Sequence, residues 1–169
     1  MNDFKQISPD EFDGIFKKIG KDWMLIGASD GTHDNLMTAS WGAMGILWHK
    51  PVAICFIRPQ RYTYTLTEPS DRLSISFFED EKYRDALTYC GRASGRDADK
   101  FAGAGFTKQK DENGVPYPAD ADLVLFCRKM YADDLKEGCF VDAEMLKHYA
   151  AKDYHRVYIC EIEKILKKA

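Results

Sequence analysis

Two segments of this sequence, NLMTASWG (Asn35 to Gly42) and RPQRYTYT (Arg58 to Thr65), gather side chains that can hold a flat, aromatic, phosphorylated ligand. A phosphate monoester is close to a dianion, and proteins hold it with Arg, Lys, hydroxyls and backbone amides, preferably where a helix starts. Arg58, Arg61, Tyr62 and Thr63 leave a strand and enter a short helical stretch, which brings these donors together. The same stretch also reads as two solvated arginines beside a Thr63 helix cap, and local sequence leaves both accounts open. Farther on, SGRDADK (Ser94 to Lys100) offers a second donor cluster: Ser94 and Gly95 present a hydroxyl and an amide, and Lys100 follows about one turn into a helix. Ordinary capping is the competing account there.

A planar redox ring needs aromatic or apolar walls and polar groups along its edge. Thr38, Ala39, Ser40 and Trp41 meet that need on an extended run, and Asn35 lies within reach of the ring or its side chain. The plain alternative is alternation on a half-buried strand. Taken together, a ring wall and phosphate donors suit flavin mononucleotide, FMN. No GxGxxG or GxxxxGK[ST] sequence is present to suggest a dinucleotide fold or a P-loop, and no GxSxG elbow positions a serine nucleophile. The four histidines have no metal-ligand spacing; His33 and His49 fall in turns, and His155, the one catalytic candidate, opens the last long strand. Cys90 is reactive only with a depressed pKa.

The elements that must position these residues are mostly strands. Ser8, Pro9 and Glu11 carry the signature of a helix start, with Gly20 placed to end that helix. Strands are expected at Trp23 to Ser29, Leu36 to Trp41, Met44 to Trp48, Val52 to Ile57, Arg72 to Phe78, Ala121 to Leu135 and Tyr154 to Leu166. Helices are expected at Arg61 to Glu68, at Glu81 to Cys90 with Gly91 as its left-handed end, at Asp97 to Ala104 stopped by Gly105, and near Asp142 to Ala150. DENGVPYP (Asp111 to Pro118) reads as a loop or hairpin tip. Strands that follow one another without intervening helices predict a mainly β, antiparallel barrel with flanking helices.

The totals agree with one compact domain. The chain has 169 residues, 45% of them hydrophobic and 30% charged, with a net charge of −3 that argues against a nucleic-acid partner. No apolar stretch approaches the ~20 residues of a membrane span, and no apolar leader is visible, so a cytoplasmic protein is expected. Cys55, Cys90, Cys127, Cys139 and Cys160 form an odd set without a CxxC pair, as expected of free thiols.

In order and approximate spacing, MTASWG, RPQRYTYT, SISFF, YCGRASGRDADKF and DYHRVYICEI resemble the flavin reductase-like family of FMN-binding split barrels, and its flavoredoxin-like branch in particular, from about Asn35 to Ile165. The resemblance implies a six-stranded antiparallel split β-barrel, a homodimer and one FMN per subunit near the dimer interface. It assigns Asn35, Thr38, Ala39, Ser40 and Trp41 to the ring, and Arg58, Gln60, Arg61, Tyr62 and Thr63 to the ribityl and phosphate end with Cys90, Ser94, Gly95 and Lys100. It further implies either flavin reduction by NADH or NADPH, or electron transfer through bound FMN to a redox partner protein. The family's reductase branch often has a DH pair and then a Gly in its late strand, whereas this chain reads Asp153, Tyr154, His155 and then Cys160. A barrel that keeps its shape without flavin is the third reading.

Overall fold

In a computed structural model, which describes residues 4–168, the chain runs β1 (Phe4–Ile7), α1 (Ile15–Lys17), β2 (Met24–Ser29), β3 (Asp34–Ala39), β4 (Gly42–Leu47) and β5 (Lys50–Ile57). There follow α2 (Tyr62–Thr67), β6 (Arg72–Phe77), α3 (Arg84–Arg92), α4 (Lys100–Ala104), β7 (Lys108–Lys110), β8 (Pro116–Pro118), β9 (Leu123–Asp134) and β10 (Arg156–Lys168).

Period-two alternation of apolar side chains builds two layers on one sheet. Met24 and Ile26 of β2, Leu73, Ile75 and Phe77 of β6, and Leu125 and Cys127 of β9 share the inner core with Tyr158 and Cys160 of β10. Their neighbours Leu25, Val124 and Phe126 face the other way and pack under Leu87 and Cys90 of α3, Phe101 of α4 and Tyr117 of β8. Because both faces of β2 are covered, all its residues are buried.

The sheet is antiparallel, in the order β3-β2-β6-β9-β10-β5-β4. The long β10 spans the split: along one edge it pairs with β9, and along the other first with β5 and then with β1. Register shifts after Ile159 and Ile162 bend it between these partners. The fold is thus mainly β and matches the expected split barrel, although the sheet is not closed and holds eight strands rather than six. One of the eight is β1, whose FKQI is too short and polar to signal a strand on its own; pairing with β10 creates it.

Some local expectations change. The Ser8 capping box forms, with the Ser8 amide donating to Glu11 Oε2 at 2.9 Å, but it starts only a 3-10 turn, because Gly14 at φ 69° redirects the chain before α1. The helical segment then runs past Gly20 to Asp22 as a wider π turn. Gly91 lies inside α3 instead of ending it, and a Cβ there would make only ordinary contact with Thr38, at 3.5 Å. Gly105 does end α4, at φ 73°. Among the described residues, no helix is long and apolar enough to cross a membrane, and no group of three or more His, Cys, Asp or Glu side chains could hold a metal ion.

Candidate functional site

A cleft of about 220 Å³ opens where the split barrel leaves its strand ends uncovered, lined by Met37 to Trp41, Phe56, Arg58, Arg61 and His155. Three elements converge there. β3 and its link to β4 supply Thr38, Ala39, Ser40 and Trp41; the end of β5 supplies Phe56 and Arg58; Arg61 precedes α2. The β5 to β10 register, Ile57 opposite Arg156, sets His155 beside Arg58 although 97 positions separate them in sequence.

The electrostatic centre of the site is a pair of cations. Lys100 is only 3% exposed, and its Nζ donates to the Cys90 carbonyl at 2.8 Å. Burial, and secondarily the charge of Arg61, lowers its pKa to about 8. Burial also lowers the pKa of Arg61, whose buried Nη2 has no hydrogen-bond partner among the described residues. A buried guanidinium nitrogen beside a buried ammonium is costly unless an anion joins them. Such a pair is therefore chemically suited to a phosphate.

The other sequence candidates divide between cleft and support. Asn35, 2% exposed, donates from Nδ2 to Thr63 Oγ1 at 2.9 Å and so ties β3 to the start of α2. Gly95 packs against both: a Cβ there would overlap the Asn35 side chain and come within 2.7 Å of the Tyr62 ring. Ser94 Oγ accepts from the Arg96 amide at 3.2 Å, and Arg96 lies over the Tyr62 ring at 5.2 Å and donates to the Gln60 carbonyl. Gly95 and Ser94 thus share one neighbourhood with Asn35, Tyr62 and Thr63.

Some candidate atoms point elsewhere. Cys90 is fully buried, and burial pushes its thiol up to about 11, so its carbonyl rather than its sulfur contributes to the site by holding Lys100. The Thr38 hydroxyl donates to the Leu87 carbonyl and anchors β3 to α3. Arg58 and Gln60 both donate to Asp153, Gln60 at 2.7 Å, and Arg58 also reaches the His148 carbonyl at 2.9 Å.

Around Trp41 lies an aromatic group for which the sequence carried little signal. Trp41 is 45% exposed, with the His148 and His155 rings each 5.3 Å from its own. His155 Nδ1 and Tyr149 Oη are hydrogen-bonded at 2.9 Å, and Arg58 lies over the Tyr149 ring at 5.1 Å. Burial, then Arg58, pushes His155 down to about 4, so it is neutral near pH 7. Phe56, Tyr149 and Asp153 are the residues that sequence reasoning did not single out for the site; Asp153 stood in DYHRV, but only the fold shows that it holds Arg58 and Gln60.

Comparison with known proteins follows the same architecture. The FMN-binding domain of a flavin reductases-like enzyme from Shewanella baltica superposes with a TM-score of 0.70 at 16% identity, covering 99% of this chain and 78% of that one. Flavoredoxin from Methanosarcina acetivorans gives 0.67 at 20% identity over 87% of this chain and 68% of that one. An NADH:FAD oxidoreductase from Streptomyces globisporus gives 0.67 at 14% identity over 90% and 79%. At these identities the likeness is one of fold. No curated protein matches the chain. The flavin reductase like domain, however, matches residues 16–168, from α1 to the end of β10 and through every segment that lines the cleft, and the chain therefore belongs to that family.

Proposed function

We propose that the protein is an FMN-binding oxidoreductase that reduces flavin with NADH or NADPH. One observation carries the reading: half-buried Arg61, whose Nη2 is buried and unpaired, and buried Lys100 behind it have no acidic partner among the described residues, and Arg61 lines a cleft walled by Trp41, Phe56 and the end of β3. A phosphate is the anion that this pair fits, and a planar ring is the body that this wall fits. Arg61 and Lys100 would hold the phosphate, with Tyr62, Thr63, Ser94 and Gly95 shaping its surroundings. Thr38 to Trp41, supported by Asn35, would border the ring.

The chemistry that FMN supplies when bound is acceptance of hydride at N5 from NADH or NADPH. The residues of this chain orient and stabilise. Arg58, oriented by its ion pair with Asp153, lines the cleft as a fixed hydrogen-bond donor, its charge largely offset by that carboxylate. Neutral, Tyr149-bound His155 serves as a wall, holding no exchangeable charge near pH 7. Visible spectra of FMN-loaded protein before and after anaerobic addition of NADH, then NADPH, test the activity. Loss of the flavin band is expected. A band that neither nicotinamide bleaches, yet that a reduced redox protein does, would move the chain to the electron-carrier reading.

The proposal extends to a homodimer built on β4. This edge strand reads GAMGIL, with none of the charge that usually guards an exposed edge. Its hairpin tip holds Trp48 and His49 at φ 53° and 58°, in the left-handed region, and leaves Ile46 75% and Trp48 53% exposed. An apolar patch on a strained, unguarded edge favours cover by a second copy. Sedimentation at micromolar concentration should show a dimer, and Ile46→Glu should release monomer; wild type sedimenting only as monomer would contradict the dimer.

A further inference from the structure

The hairpin of β4 and β5 has a free edge whose phase follows from its turn. Trp48 and His49 form a two-residue turn with both φ angles positive, so the flanking Leu47 and Lys50 make a hydrogen-bonded pair and the pairs alternate from there. Leu47, Gly45 and Ala43 therefore bond β5, whereas Ile46, Met44 and Gly42 turn their amides and carbonyls toward the uncovered side. Pro51, which has no amide to give, stands opposite Ile46 in agreement with this phase. Beside the start of β4 lies a groove of about 650 Å³, between Ile15 and Phe16 of α1 on one side and Gly42 and Met44 of β4 on the other. None of the described residues that line it is charged, and it shares Ser40, Trp41 and Phe56 with the cleft.

We infer that this groove seats the hairpin tip of a second copy, and that the partner's Trp48 thereby becomes part of the cleft wall. The inference rests on the homodimer proposed above and adds to it a residue supplied across the interface. Two strands that pair through such edges about a twofold axis must set outward residues against outward residues. Two registers do so with five residues of β4 paired: one places Met44 opposite the partner's Met44, the other Gly45 opposite the partner's Gly45. The first brings the partner's Trp48 to Ser40 and the second brings it to Gly42, in both cases beside Trp41, where groove and cleft meet. Trp48 does not reach the cleft of its own subunit, since it stands six residues, roughly 20 Å, beyond Gly42 along the strand. Phe16, Trp41, Ile46 and Trp48 leave on the order of 500 Å² uncovered, most of the ~800 Å² that one partner gives to a standard interface. A small molecule in the groove would leave the outward amides of β4 unpaired, whereas a second β4 pairs them.

Cysteine cross-linking tests the pairing. A Cys139→Ser background removes the one exposed thiol among the described residues. Ala43 and Gly45 are both exposed, and a Cβ on Gly45 meets no atom within 4 Å. With Gly45 on the axis, Gly45→Cys alone should give a covalent dimer on mild oxidation, because opposed Cα atoms about 4.5 Å apart are within disulfide reach. With Met44 on the axis, Ala43→Cys and Gly45→Cys are needed together. One of these two results is expected on a non-reducing gel of protein oxidised at micromolar concentration. A wild-type dimer with no covalent dimer from either variant would overturn the inference and leave the homodimer standing on another surface. Wild type sedimenting only as monomer would overturn both. In the cross-linked dimer, Trp48→Ala should weaken FMN binding about tenfold by flavin-fluorescence titration, the loss of one aromatic contact at the wall. Unchanged affinity would overturn the contribution across the interface. A cross-linked dimer that binds no FMN would instead overturn the cofactor reading and leave the paired hairpins supported.

Discussion

Arg61→Ala is expected to weaken FMN binding by ~1.5–3 kcal/mol, roughly 10- to 150-fold, the value of a charge-assisted hydrogen bond to phosphate. Flavin-fluorescence titration measures it. The free Nη2 of Arg61 and the neighbouring Lys100 charge also set the direction of a second readout. Removing the half-buried Arg61 charge beside buried Lys100 relieves repulsion and desolvation in the FMN-free protein. Arg61→Met, which keeps most of the apolar stem, should therefore melt no lower than wild type without FMN, although it binds FMN as poorly as Arg61→Ala. Loss of stability in parallel with affinity would make Arg61 a structural residue. Unchanged affinity in both Arg61→Ala and Lys100→Ala would place the phosphate elsewhere.

The affinity for FMN should also fall as pH rises above about 8, where buried Lys100 loses its proton. A flavin phosphate is already a dianion there, its second pKa being about 6. Binding then requires reprotonation of Lys100, so affinity drops about tenfold per pH unit until the ~1.5–3 kcal/mol that the ammonium contributes is exhausted. Stability of the FMN-free protein moves in the opposite direction. The folded pKa of Lys100 lies below its ordinary 10.5, so between pH 8 and 10.5 the unfolded chain binds more protons than the folded one, and stability rises with pH across that window. Titrations and melting curves from pH 7 to 10 check both trends, and Lys100→Met should flatten both. An affinity profile equally steep in Lys100→Met would assign the pH dependence to another group.

Much of the fold was legible because strand formation is governed by nearest-neighbour pattern. MLIGAS, VAICFI and RLSISF announce strands through apolar and β-branched content, and DGTHDN between two such runs announces a turn. Gly105 was legible as a helix end because its left-handed backbone decides it, whereas Gly91 misled, since α3 continues through it to Arg92. Polar β1 and the break at Gly14 escaped the pattern for a similar reason: pairing with β10 and packing on the core, not propensity, settle them.

At the site, the sequence alone determined which chemical groups are available: hydroxyls and a Trp on one strand, arginines after another, a Ser and a Gly before a helix and a Lys within it. It did not determine which of them are free to act. Arg58 and Arg61 stand three positions apart and look alike in the chain, yet Asp153, carried in by the pairing of β5 with β10, pairs with the first, while the buried end of the second has no partner among the described residues. Lys100 looks like a solvated helix residue until Cys90, Arg61 and the covering layer remove its water and lower its pKa. Residue type and backbone preference are properties of the local chain, but desolvation and pairing depend on groups that approach from far along it, so the donor set belongs to the sequence and its charge state to the tertiary structure.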